Sequence, residues 1–117
     1  MIIGTPETIH GEYASGSHKG NGPHFVCTLL DNLGDCTFKY VREMRFPPGS
    51  TIGLHQHVGS EELYFIMSGT AVMIVDGEER VVGPGSAILT CSGGTHGLRN
   101  EGTEDVRLFV ACVNASK

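Results

Sequence analysis

The chain lacks any stretch approaching the ~20 consecutive apolar residues that a membrane-spanning helix requires. It also lacks a basic segment followed by an apolar run at its start, so the expectation is no secretory leader and a cytoplasmic location. Basic residues are in deficit, with 8 Lys and Arg against 13 Asp and Glu and a formal net charge of -5. Gripping a phosphate backbone takes a basic face, which excludes nucleic acid as a partner. Cys27, Cys36, Cys91 and Cys112 have no paired zinc-knuckle spacing. In a reducing compartment they read as free, half-buried thiols. No segment carries a sustained 3.6-residue apolar period with caps, which argues against a helical fold, and no internal repeat stands out.

What is present is a series of short alternating segments separated by turn residues. At 117 residues, 39% hydrophobic and 18% charged, the chain suits one globular domain with a single core. Residues 1–24 are Gly-rich and loop-like, with at most a short strand at residues 1–3, and form an N-terminal arm lying along the domain or along a partner subunit. His10, His18 and His24 read there as surface residues, His24 being the remote candidate for an extra ligand. Residues 25–30 read as a strand, 31–35 as a turn, and 36–46 as a strand with clean alternation. Phe38, Tyr40, Arg42, Met44 and Phe46 share its inward face, and Lys39, Val41, Glu43 and Arg45 the outward one. Residues 63–67 are apolar on both faces, which predicts cover on both sides by a second layer or a subunit contact, and hence a homodimer. Asp76-Gly77 is a type I′ hairpin signal, and residues 106–113 form a last apolar strand before a tail expected to fray. Roughly eight to ten such strands make an all-β barrel or jelly roll of residues 25–117.

The chemistry is concentrated between Gly49 and Asn100. His55 and His57 are two apart, so on a strand both imidazoles face one point, and Glu62 follows after a short turn. Two nitrogen donors and one carboxylate on adjacent strands suit a divalent transition metal: Mn, Fe, Co, Ni, Cu or Zn. A later strand, Gly-rich turn and strand supply His96 as a fourth donor. The two stretches resemble the paired signature of the cupin superfamily. The first matches at Gly49, His55, His57, Glu62 and Gly69; the second matches at Gly85, Gly93, His96 and Asn100, with Cys91 where the family usually has proline. The resemblance covers roughly residues 38–113. It implies a small cupin-type β-barrel, a double-stranded β-helix, with His55, His57, Glu62 and His96 as metal ligands.

Three neutral imidazoles and one carboxylate around a divalent ion leave about +1 of charge, and an octahedral ion keeps two positions open. That arrangement suits a bidentate small-molecule substrate rich in oxygen: a keto or enol acid, a hydroxy acid or a sugar acid. The expected function is a metal-dependent enzyme, either a dioxygenase or a Lewis-acid lyase, isomerase or decarboxylase. The alternative is a non-catalytic, metal-containing module that binds or senses a small ligand. Thiol dioxygenases of the superfamily have three histidines and no carboxylate, so Glu62 counts against a thiol substrate. Parity places Tyr64 beside Glu62 as the acid/base candidate, with Glu61 a weaker one facing away, and Cys91 reads as filler in its turn. Arg42 is anomalous on an apolar, aromatic face. With Tyr40 and Tyr64 it is the candidate to meet a substrate carboxylate, the competing reading being an ion pair with a carboxylate such as Glu61.

Overall fold

Alternation in residues 36–46 and the Gly- and Pro-bearing turns on either side of it produce a long strand, and the rest of the sheet is assembled on that strand. The structure, a computed structural model, describes residues 1–30 and 33–115. The described residues form ten strands: β1 His10–Ser15, β2 Pro23–Thr28, β3 Phe38–Phe46, β4 Thr51–Gln56, β5 Ser60–Ser68, β6 Ala71–Val75, β7 Glu78–Val82, β8 Ala87–Thr90, β9 Thr95–Arg99 and β10 Val106–Asn114. One 3-10 turn, Ser17–Lys19, joins β1 to β2. The strands pair in two antiparallel sheets, ordered β1-β2-β3-β10-β5-β8 and β4-β9-β6-β7. Face to face these make the expected β-barrel of jelly-roll type.

The core fills the space between the sheets. Met44, Phe46, Tyr64, Ile66, Leu108 and Val110 come from the larger sheet, and Ile52, Met73 and Leu98 from the smaller. Phe46, Ile66, Leu98 and Leu108 are fully buried, each worth about 1.5–3 kcal/mol of transfer free energy. Asn100 ties the layers together: its amide nitrogen donates to the carbonyls of Phe46 and Glu104, each at 2.8 Å, and its side-chain oxygen accepts from Gly102 N–H at 3.0 Å. Gly69 has φ 81°, and a Cβ there would stand 2.3 Å from the Asp105 carbonyl oxygen, so only glycine fits. Asp76 and Gly77 have φ 50° and 82°, the two left-handed residues of a type I′ turn.

Several expectations are modified. No strand occurs at residues 1–3; the arm's strand is β1, which pairs with β2 along its whole length and so extends the larger sheet. The boundary drawn at residue 24 therefore falls inside β2. The turn expected at 31–35 lies partly outside the described residues; its remainder closes through Cys36 N–H donating to the Leu33 carbonyl at 3.1 Å. Of the residues 114–117 expected to fray, 116 and 117 lie outside them, while Asn114 ends β10 and Ala115 N–H donates to the Gly59 carbonyl at 3.0 Å. Val41, on the outward face of β3, is buried. Phe65 and Met67 are each 41% exposed, so within one chain the outer face of β5 is not covered. Of the thiols only Cys112 is buried and Cys27 half-buried; Cys36 and Cys91 are exposed, so Cys91 is a surface residue of its turn rather than filler.

Candidate metal centre

Period-2 geometry delivers His55, near the end of β4, and His57, just beyond it, to one side, but not without help. Ile52 pairs with Leu98 and His55 with His96, and the register shifts between Ile52 and His55. Ile52 and His55 are an odd number of residues apart, so a regular strand would send them to opposite faces; the bulge lets both face inward. Leu54 is extruded by it and stands 65% exposed. Across the barrel, Tyr40 on β3 is in register with Cys112 on β10, and Cys112 with Glu62 on β5. Glu62 in turn pairs with Thr90 on β8. Tyr40, Glu62 and Thr90 therefore lie side by side on the inner face.

The four expected ligands converge. Nε2 of His96 stands 3.1 Å from Nε2 of His55, 3.0 Å from Nε2 of His57 and 3.1 Å from Oε1 of Glu62. Nε2 of His57 is 3.2 Å from the same carboxylate oxygen. One ligand atom from each of the four residues falls within 4.8 Å of all the others. An octahedral centre with bonds of about 2.1–2.2 Å sets adjacent donors about 3.0–3.1 Å apart, so the spacing fits one metal ion.

Each imidazole is held by its far nitrogen. Nδ1 of His55 lies 2.8 Å from the Gly53 carbonyl, Nδ1 of His57 is 3.1 Å from the Ser60 hydroxyl, and Nδ1 of His96 is 2.9 Å from the Thr90 hydroxyl. A carbonyl only accepts, so His55 carries its proton on Nδ1 and turns a lone pair inward from Nε2. Burial lowers the pKa of His55 to about 4 and that of His57 as well, which keeps both rings neutral and able to ligate. Burial works against ionisation of Glu62, but hydrogen bonds from His96 and Tyr40 prevail and hold its carboxyl at about 2. Converging nitrogen lone pairs and a buried anion repel one another unless a proton, as in the His96–Glu62 hydrogen bond, or a cation lies between them. The donor set fits a divalent metal.

Sequence reasoning placed the four ligands and missed what holds them. The Tyr40 hydroxyl donates to Glu62 Oε2, leaving Oε1 for the convergence point. Ser60 and Thr90 were detectable in principle, since each shares the ligand face by strand parity or register. His18 gave no signal, because its loop has no period, yet its ring stacks on His55 with centroids 3.6 Å apart. It is exposed, as expected of a surface residue, but it is not free. His24 is no surface residue: it is 3% exposed, stacked on Phe46 and outside the ligand cluster. Burial lowers its pKa, and its Nδ1 has no hydrogen-bond partner.

Above the donors is a cavity of about 430 Å³ lined by His18, Lys39, Tyr40, Arg42, His55 and His57 among others. The Arg42 guanidinium lies 3.8 Å over the Tyr40 ring centroid, and no described carboxylate forms an ion pair with it. The Glu61 carboxylate accepts instead from Ser92 N–H at 3.4 Å. Tyr64 is 4% exposed, packs against His96 at 5.0 Å between centroids, and belongs to the core. Burial first, and the neighbouring Glu62 charge second, raise the pKa of Tyr64, so its hydroxyl keeps its proton.

A barrel of this topology with three histidines and one glutamate at its centre defines a metal-binding cupin. The profile of the cupin domain matches residues 42–112, more than half of the chain, and the protein belongs to that family. An oxalate-binding protein of Thermotoga maritima is 34% identical over 70 residues, or 60% of this chain and 58% of the relative. An uncharacterized protein of Methanocaldococcus jannaschii is 34% identical over 63 residues, 54% of this chain and 50% of the relative. The chain thus matches only about half the length of these relatives. Among solved structures, one described as a predicted oxalate decarboxylase from Thermotoga maritima superposes with a TM-score of 0.89 at 28% identity, covering 97% of this chain and 99% of that one. An RmlC-like cupin from Shewanella frigidimarina shares the fold, with a TM-score of 0.74 at 15% identity over 98% of this chain and 91% of its own.

Proposed function

We propose that this protein holds one divalent transition metal on His55, His57, Glu62 and His96 and uses it to bind and transform a small di- or 2-oxo-carboxylate. The observation that carries this reading is the pairing of the four-donor cluster with Arg42 and Lys39 at the mouth of the same cavity. A bound metal supplies a Lewis acid that polarises a carboxylate or carbonyl oxygen. Arg42 offers a planar fork to a second carboxylate of the ligand, and Lys39 adds a point charge. Tyr40 fixes the Glu62 carboxylate through Oε2. Tyr40 and Tyr64 both stay protonated, with pKa values raised chiefly by burial, so each serves as a donor and not as a base. The oxalate named for one relative, and for the solved structure of 28% identity, is a ligand of this kind.

The relative's name describes binding, and that favours a second reading, a carboxylate-binding module without turnover. Loading the apoprotein with single metals, then titrating oxalate and a 2-oxo acid by calorimetry with and without O2, tests both readings. Binding with release of CO2 or formate supports the enzyme; binding without product supports the module. No binding by any metal form refutes both. Arg42→Lys should weaken carboxylate binding at least ~10-fold with metal content unchanged, because the fork is lost while the charge stays. We further propose a cytoplasmic homodimer. Its support is the outer face of the larger sheet, where Phe65, Met67 and Leu89 are 41%, 41% and 57% exposed.

A further inference from the structure

The turn Ser17–Lys19 is built against the metal centre at some conformational cost. His18 and Lys19 have φ 51° and 64°, left-handed values that side-chain-bearing residues adopt only when their surroundings demand it. The surroundings are the bulge of β4. A Cβ on Gly53 would stand 1.9 Å from the His18 carbonyl oxygen, and one on Gly20 would stand 2.4 Å from that of Thr51. Two glycines therefore permit a close backbone approach that other residues forbid. Asn21 and Thr51 lock the contact, with Thr51 N–H donating to the Asn21 carbonyl at 2.8 Å and Asn21 N–H to the Thr51 hydroxyl at 2.7 Å. The result is a parallel stack, 6° between planes and 3.6 Å between centroids, of His18 on the ligand His55.

We propose that His18 is a positioning residue of the metal centre, its ring clamping one face of His55 while the Gly53 carbonyl holds its Nδ1. A parallel stack presents the face of His18 rather than a nitrogen, so its role is support and not ligation. The arm that carries β1 thereby governs how firmly His55, one of the two half-buried members of the ligand set, is held. His96, by contrast, is buried and needs no such clamp. The inference rests on the four-ligand centre, and supports of this kind typically govern metal affinity by ~10–100-fold.

The test is a chelator-competition titration of wild type, His18→Ala, His18→Phe and Gly53→Ala, with apoprotein melting curves and NMR of the His55 ring nitrogens. His18→Ala should weaken metal binding ~10–100-fold and loosen the Nδ1–H form of His55 in the apoprotein. His18→Phe keeps a flat ring and should restore affinity to within ~3-fold. Gly53→Ala should mimic His18→Ala, and combining the two should cost no more than either alone. Affinity within ~2-fold of wild type in His18→Ala, or His18→Phe as weak as His18→Ala, overturns the proposal. If wild type takes up no metal, the four-ligand centre fails, and the NMR arm decides separately: an unchanged His55 signal in His18→Ala overturns the clamp.

Discussion

Replacing His96 is the sharpest probe of the centre, because its Nε2 lies within 3.1 Å of a donor atom on each of the other three ligands. Four-ligand structural zinc sites contribute roughly 10–16 kcal/mol of binding free energy, about 2.5–4 kcal/mol per ligand. Losing one such share corresponds to about 10²–10³-fold in metal affinity. His96 is also 1% exposed, so His96→Ala opens a hole and is expected to cost about 3 kcal/mol of folding stability besides. His96→Phe separates the two effects. It keeps a ring against Tyr64 but, like Ala, leaves the buried Thr90 hydroxyl and Glu62 carboxylate without their imidazole partner, a cost of about 1–3 kcal/mol or more. The expected apoprotein stability order is wild type, then Phe, then Ala, with metal lost equally from both variants. Elemental analysis and chelator competition read the metal, and urea melts of the apoproteins read the stability. Added metal should raise the melting temperature of wild type and leave His96→Phe unmoved. A Phe variant that holds one equivalent of metal within ~10-fold of wild-type affinity would refute the assignment of His96 as a ligand.

Four further outcomes are expected. Metal should stay bound at pH 6 and leave near or below about pH 4, because a proton takes the His55 lone pair only as pH falls to its lowered pKa of about 4; complete release by pH 6, read by dialysis and elemental analysis, would contradict the site's burial. Apoprotein stability should fall in the same direction: the depressed pKa of His55 gives stability present above its ordinary value of 6.5 and lost as pH drops toward 4, and Glu62 adds a loss from 4.5 toward about 2. Asn100→Ala removes three hydrogen bonds and strands the Phe46 carbonyl, so urea denaturation should show a loss of about 2–4 kcal/mol, and a loss under ~0.5 kcal/mol would count against its architectural role. Light scattering at micromolar concentration should give twice the 12.5 kDa chain mass, Phe65→Glu should restore the single mass, and a wild-type monomer would rule out the homodimer.

Strand order in the barrel was not readable from the chain, yet most strands were, because alternation and turn chemistry act over two to four residues. The Asp76-Gly77 hairpin needs only two left-handed residues, and Gly69 only a left-handed φ of 81° that glycine adopts freely. The four ligands were legible for the same reason: strand parity joins His55 to His57, and glycine-bounded turns return Glu62 and His96 to their neighbourhood. What surrounds them was decided by packing between segments far apart in sequence. Tyr40 meets Glu62 through the register of β3 and β5 on either side of β10, and local pattern carries no register. The bulge that turns both Ile52 and His55 inward interrupts the very alternation from which β4 is inferred. His18 reaches His55 only because a Gly-rich loop docks where Gly53 leaves room, a long-range steric fit with no periodic trace in either segment. Donor identity is thus a property of the local sequence, whereas the hold on each donor belongs to the tertiary structure, since a hydrogen-bond partner or a stacked ring comes from whichever segment the barrel brings alongside.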